Sequence, residues 1–140
     1  MNDLNKAKSL LKLTDLYFTK ITYNKIGESK SKANPKMGLS QSIEERNEGE
    51  YKVILSLKVE KKDAFGIEIE MVGLFVINED LEAKPILVRN NTVAIMFPYI
   101  RSELTLLTAQ PNMAPIVLPP ININQLLKNE VQNENPSDSD

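Results

Sequence analysis

Between Glu50 and Glu60, apolar residues recur at every second position. Tyr51, Val53, Leu55, Leu57 and Val59 alternate with Lys52, Ile54, Ser56, Lys58 and Glu60. A period of two over this length predicts a strand with one face covered and the other mostly wet. Lys61–Ala64 reads as a hairpin turn, and Phe65–Asn78 as the partner strand, with Phe65, Ile67, Ile69 and Met71 set against Glu68 and Glu70. From Val72 onward both parities are apolar, and Gly73 marks a bend or a close backbone approach.

Two further strands are expected upstream. Leu10–Tyr23 is dense in β-branched and aromatic residues. Tyr17, Ile21 and Tyr23 share one parity while Leu16 and Phe18 share the other, which predicts a bulge or a strand buried on both faces. Residues 24–36, rich in Lys, Ser, Asn and Gly, read as a loop. Met37, Leu39 and Ile43 predict a short strand over Met37–Ile43, followed by a charged turn over Glu44–Glu50. Four antiparallel strands in a meander-like order result.

Past the sheet the period changes. Glu79–Arg89 reads as a connector, since Pro85 argues against a central strand. Asn90-Asn91-Thr92 offers an N-cap for a helix from about Val93 to Ala109. Ile100, Leu104 and Leu107 recur at helical spacing, as do Tyr99, Glu103 and Leu106, so the helix is covered on more than one side. Pro98 then falls in its early turns. Gln110–Ile123 is extended, because each Pro restricts its predecessor. Asn124–Gln132 predicts a last helix with Leu126, Leu127 and Val131 on one side. Residues 133–140 form a polar, acidic tail, expected to be disordered.

Composition narrows the chemistry. The 140 residues suit one domain, and 41% hydrophobic with 26% charged is an ordinary globular balance. A net charge of −2 carries no basic stripe for nucleic acid. The chain has no Cys and no His. Disulfides, thiolate zinc sites, a Ser–His triad and imidazole acid–base catalysis are therefore excluded. Five scattered Gly build no phosphate cradle. The polar start, with no apolar core of a signal peptide and no long apolar run, predicts a cytoplasmic protein without a membrane span.

The remaining candidates for chemistry are sparse. Glu44-Glu45, Glu48 with Glu50, and Glu68 with Glu70 are carboxylate pairs. Glu68 and Glu70 share a strand face, which alternation alone explains as solvated. Ser40 and Ser102 have no visible base. Lys30, Lys32 and Lys36 suggest a basic loop, and Glu130, Glu134, Asp138 and Asp140 an acidic end able to meet a basic partner. The apolar surplus says more: the sheet face, the all-round helix and the run 113–123 exceed what two short helices cover. That surplus implies an oligomer or a binding groove.

Two late motifs resemble a known family. Phe97-Pro98-Tyr99-Ile100-Arg101 resembles the FPYxR segment that opens the long helix of the SecB export chaperones. Pro115-Ile116-Val117-Leu118-Pro119-Pro120-Ile121-Asn122-Ile123 resembles their PLNLAPVNF segment, with Leu126 in register. Tyr51–Val59 and Gly73–Ile77 are similar to the paired central strands, and Tyr17–Tyr23 less closely to the first strand. The resemblance spans roughly residues 15–130.

It implies an α+β fold, a four-stranded antiparallel sheet with two helices packed to one side, assembled as a dimer of dimers. The segments would be a lead-in over 1–14, a chaperone domain over 15–132 and the acidic tail over 133–140. It implies a holdase without ATP, cofactor or catalysis, which keeps unfolded preproteins translocation-competent in apolar grooves. Groove candidates are then Met37, Leu39, Ile43, Ile67, Met71, Phe75, Met113, Ile116 and Leu118. The oligomer helix would use Phe97, Tyr99, Ile100, Leu104 and Leu107. The face that docks the motor SecA is acidic in the family. Lys20 and Asn24 stand there in this chain, with Glu68 acidic on the later strand. Loss of acidic charge weakens electrostatic docking, and a SecB-like chaperone dedicated to the antitoxin of a toxin–antitoxin pair needs no such face. A non-chaperone adaptor and a small carboxylate enzyme using Glu68 and Glu70 are the other readings.

Overall fold

In the computed structural model, residues 11–28, 30–77 and 85–118 are described, 85–87 by their backbone alone. Four strands, β1 (Leu11–Lys25), β2 (Lys36–Asn47), β3 (Glu50–Lys61) and β4 (Phe65–Ile77), are followed by a helix, α1 (Pro85–Thr108). The strands form one antiparallel sheet in the order β1-β4-β3-β2. Of the lead-in expected over 1–14, residues 11–14 belong to β1, and residues 1–10, like the last helix over Asn124–Gln132 and the tail, lie outside the described residues. Among the described residues there is one helix, where two were expected.

The order corrects the meander. β2, β3 and β4 follow each other by hairpins, but β1 flanks β4 and not β2. The chain leaving β1 crosses the tip of the β3–β4 hairpin. There the amides of Ile26 and Gly27 both donate to the Ala64 carbonyl, at 2.8 and 3.3 Å. Gly27 is required at this crossing, because a Cβ would lie 2.6 Å from the Asp63 carbonyl oxygen.

β1 bears out the bulge. Its register slips between Leu13 and Asp15 and again between Phe18 and Lys20. The slips bring Leu16, Phe18, Ile21 and Tyr23 opposite Gly73, Met71, Ile69 and Ile67, so both sequence parities serve one face. β2 is longer than its apolar residues suggested. Glu44 pairs with Lys52 and Glu45 with Tyr51, and only Glu48-Gly49 turns the chain. The charged stretch is ladder, and the opposite charges of Glu44 and Lys52 support the pairing. Gly49, at φ 77°, takes the left-handed conformation that the turn needs.

The helix begins well before Val93. Pro85 opens it, where a missing N–H is no loss. Asn90-Asn91-Thr92 is therefore not a cap. Thr92 is buried in the helix interior, and its hydroxyl donates to the Val88 carbonyl at 2.7 Å. Pro98 consequently lies in mid-helix, exposed, at a position where it removes one intrahelical hydrogen bond.

The inner faces of β3 and β4 and the residue Leu39 of β2 pack against Val93, Met96, Phe97, Ile100 and Leu104 of α1. Gly73 is the contact point. A Cβ there would stand 2.9 Å from Met96 Sδ and 2.8 Å from Phe75 Cε2. Of the two predicted roles for Gly73, close approach is the one observed.

Candidate functional site

After α1 the chain turns back. Met113 N–H donates to the Gln110 carbonyl at 3.1 Å, with Pro111 and Asn112 between them and Asn112 at φ 63°. Proline followed by a residue of positive φ suits a type II turn. Residues 113–118 then run along the C-terminal half of α1 as an extended strap. The strap is tied at Ile116, whose carbonyl accepts from Thr105 Oγ1 at 2.9 Å and whose amide donates to Thr108 Oγ1 at 2.8 Å. Thr108 is fully buried and its hydroxyl also donates to the Leu104 carbonyl at 2.8 Å. Met113, Ile116 and Leu118 pack against the core, while Val117 stands 71% exposed.

The other end of α1 is fixed to the sheet edge. Gln41, on the inner face of β2, donates its side-chain amide to the Arg89 carbonyl at 2.9 Å and to Thr92 Oγ1 at 3.0 Å. Its Oε1 is buried with no hydrogen-bond partner among the described residues. Sequence reasoning passed over Gln41, Thr105 and Thr108. The available signals were one polar residue, Gln41, on the alternating face that carries Leu39 and Ile43, and two Thr three apart on an apolar helix.

The nine groove candidates do not form one exposed surface in the single chain. Leu39, Ile67, Met71 and Phe75 are core. Met37 and Ile43, 38% and 36% exposed, lie toward the two ends of β2, opposite Val59 and Val53. Met113, Ile116 and Leu118 are half-buried in the strap. The oligomer-helix candidates also divide. Phe97, Ile100 and Leu104 are buried against their own sheet and Leu107 is half-buried. Only Tyr99, 50% exposed, lies on the outward side, together with Ser102 and the 67% exposed Leu106. Within the single chain the helix has one buried side and an exposed Tyr99–Leu106 side, so the predicted cover on a second side would have to come from another subunit.

Lys20, Asn24 and Glu68 do share the outer sheet face. Lys20 Nζ lies 3.0 Å from Glu68 Oε2, and Asn24 pairs with Gly66 in the same ladder. Glu70 faces Lys20, and Glu68 faces Lys58. The carboxylate pair is thus interleaved with ammonium groups. No cluster of three or more potential metal-ligating residues exists among the described residues. Ser40 sits in the ladder opposite Ser56, and Ser102 is exposed on α1. Lys30 and Lys32 are exposed in the crossover and Lys36 opens β2. The Tyr51 phenol is raised above its usual value of 10.0, first by burial and then by the nearby Glu45 carboxylate. No described helix is long and apolar enough to cross a membrane.

A family model described as preprotein translocase subunit SecB matches residues 8–134. The chain belongs to the SecB family. An uncharacterized protein of Methanocaldococcus jannaschii is 32% identical over 122 residues, covering 80% of this chain and 79% of that one. The protein-export protein SecB of Methylococcus capsulatus is 32% identical over 100 residues, 67% of this chain and 64% of that relative. This match therefore spans just under two thirds of the relative. Among solved structures, a SecB-like chaperone of Mycobacterium tuberculosis, in complex with a peptide from an antitoxin, superposes with a TM-score of 0.65 at 14% identity. The superposition covers 86% of this chain and 96% of that one, and it establishes the shared fold. Family membership supports a chaperone role for this SecB-family chain.

Proposed function

We propose that this protein is an ATP-independent holdase that binds unfolded polypeptides through apolar surface and keeps them from aggregating. The observation that carries this reading is the uncharged apolar strap over 113–118, laid along the C-terminal half of α1. Met37 and Ile43 add exposed apolar surface on β2. Burial of apolar area is non-directional, so it tolerates clients of many sequences. Methionine at 37 suits varied partners, being flexible and polarizable. The acidic end of the chain and its last predicted helix have no assigned part in client binding.

The Tyr99–Leu106 side of α1 is the surface we assign to contact between subunits in a dimer of dimers. The test is direct. Light scattering should give a tetramer, and the protein without ATP should suppress aggregation of a chemically unfolded client. A stable monomer that leaves aggregation unchanged would sink the reading.

Keeping preproteins competent for translocation is the leading role within it. The Lys20–Glu68 ion pair favours the alternative of a chaperone dedicated to an antitoxin. A carboxylate already paired within its own sheet attracts a basic motor segment less than a free one. Capture of the tagged protein from its own cells separates the two. Unfolded secretory precursors together with SecA mean export; one small partner with its toxin means the dedicated role. An adaptor would bind one folded partner and ignore unfolded chains.

A further inference from the structure

The strap Met113-Ala114-Pro115-Ile116-Val117-Leu118 carries no charge, and Pro115 holds its predecessor extended. Ile116 and Leu118 are half-buried and Val117 between them points out. This is the alternation of an extended peptide laid on an apolar surface. Its polar anchoring is equally generic. Thr108 Oγ1 accepts the Ile116 N–H and Thr105 Oγ1 donates to the Ile116 C=O. Two hydroxyls three residues apart on α1 thus do for the backbone of one residue what a neighbouring strand does in a ladder. Such contacts ignore side-chain identity, as recognition of varied unfolded segments requires.

Resting on the holdase reading, we infer that the strap is an internal placeholder for the client. It occupies the site that an extended, uncharged, apolar segment takes, and client binding displaces it. The client main chain then meets the Thr105 and Thr108 hydroxyls, and alternate client side chains take the places of Ile116 and Leu118. Displacement leaves the central packing in place, because Val93, Met96, Phe97, Ile100 and Leu104 are buried in one cluster with residues of β2, β3 and β4, whereas Met113, Ile116 and Leu118 are only partly buried against it. A site occupied by its own chain lowers the apparent affinity for any competitor in proportion to the fraction closed. It also covers a surface that would otherwise be sticky in the resting protein.

The inference reverses the expected sign of one substitution. If Ile116 touched the client directly, Ile116→Ala would weaken binding. As a placeholder anchor, Ile116→Ala loosens the strap and leaves the site whole, so binding tightens. The probe is a fluorescently labelled, reduced and carboxymethylated unfolded protein, followed by anisotropy with the full chain. Ile116→Ala should bind about tenfold more tightly than wild type. Weaker or unchanged binding overturns the inference.

Amide hydrogen exchange supplies a second reading. The Ile116 amide should be protected in the free protein and lose that protection in the complex; an amide still protected with probe bound overturns the placeholder. Thr105→Val removes the carbonyl contact and leaves the amide's own bond to Thr108. It should speed Ile116 exchange about tenfold in the free protein, since local opening governs exchange. An unchanged rate overturns the latch. If neither wild type nor Ile116→Ala binds the probe, the holdase reading itself falls. A bound probe with a closed strap removes only the placeholder.

Discussion

At the Thr92 end of α1, a threonine hydroxyl bonds back to the Val88 carbonyl and receives the Gln41 amide from β2. At the Thr105–Thr108 end, the same kind of back-bonded hydroxyl meets a backbone instead, the strap at Ile116. The first attachment ties the helix to a sheet edge through buried groups. The second ties it to a segment with one outward residue between two half-buried ones. Identical side-chain chemistry therefore builds a fixed joint at one end of the helix and a joint open to competition at the other. What decides is the partner. A strand is held along its ladder, whereas the strap is tied at a single described residue.

The comparison breaks hardest where the helix meets the sheet. Gly73→Val should lose about 3 kcal/mol, because the new side chain collides with Met96 and Phe75 in a packed core. Urea unfolding measures it. A double-mutant cycle with Met96→Ala should be less than additive, since removing Met96 clears one of the two side chains that a Cβ at 73 meets and leaves Phe75.

Gln41→Ala should cost less, about 1 kcal/mol. It removes two donated hydrogen bonds, but also a buried oxygen with no partner among the described residues. Both effects are global, seen as a shift of the urea midpoint with unchanged slope. Thr105→Val, at the strap joint, should move that midpoint by less than about 0.5 kcal/mol. Its effect is confined to Ile116 exchange, so a global loss as large as that of Gln41→Ala would erase the distinction between the joints.

The smallest effect is in alkali and belongs to the sheet side alone. Tyr51 has its phenol raised in the folded protein, first by burial and then by Glu45. A raised folded value means that the contribution is fully present below the unfolded pKa of 10.0 and is lost as pH rises through the folded value. Glu45→Gln should move the tyrosinate absorbance midpoint down toward 10.0, while leaving the burial effect in place. No titratable group lies within the strap, so its joint should not share this dependence.

The sheet was legible in the sequence where alternation is strict. Tyr51–Val59 and Phe65–Met71 could be nothing but paired half-buried strands, and the split parity of Leu16, Phe18, Ile21 and Tyr23 announced the bulge. The strand order was not legible, because the contact that sets it is two backbone amides on the Ala64 carbonyl, with no side-chain signature. The helix start was misread for a physical reason. Asn-Asn-Thr has the chemistry of a cap, yet Thr92 spends its hydroxyl on Val88 inside the helix. The strap's extended course followed from its prolines, but not its attachment, since Thr105 and Thr108 become partners only after the chain reverses at Asn112. Leu39, Ile67, Met71 and Phe75 looked alike as core or groove residues; packing made them core.

The crossover at Ile26 and Gly27 has a consequence for how the chain assembles. β2, β3 and β4 join through short loops, whereas β1 pairs across a long stretch of chain, Leu11 with Ile77 and Tyr23 with Ile67. Local pairings form before distant ones, so the three-stranded meander forms first and β1 closes it. Until then the free edge of β4 exposes its row of amides and carbonyls, the kind of edge that recruits other chains. Leu16→Ala, on the last strand to dock, should therefore speed unfolding and scarcely slow folding in a chevron experiment. A protein proposed to guard other chains against aggregation passes, during its own folding, through the same hazard.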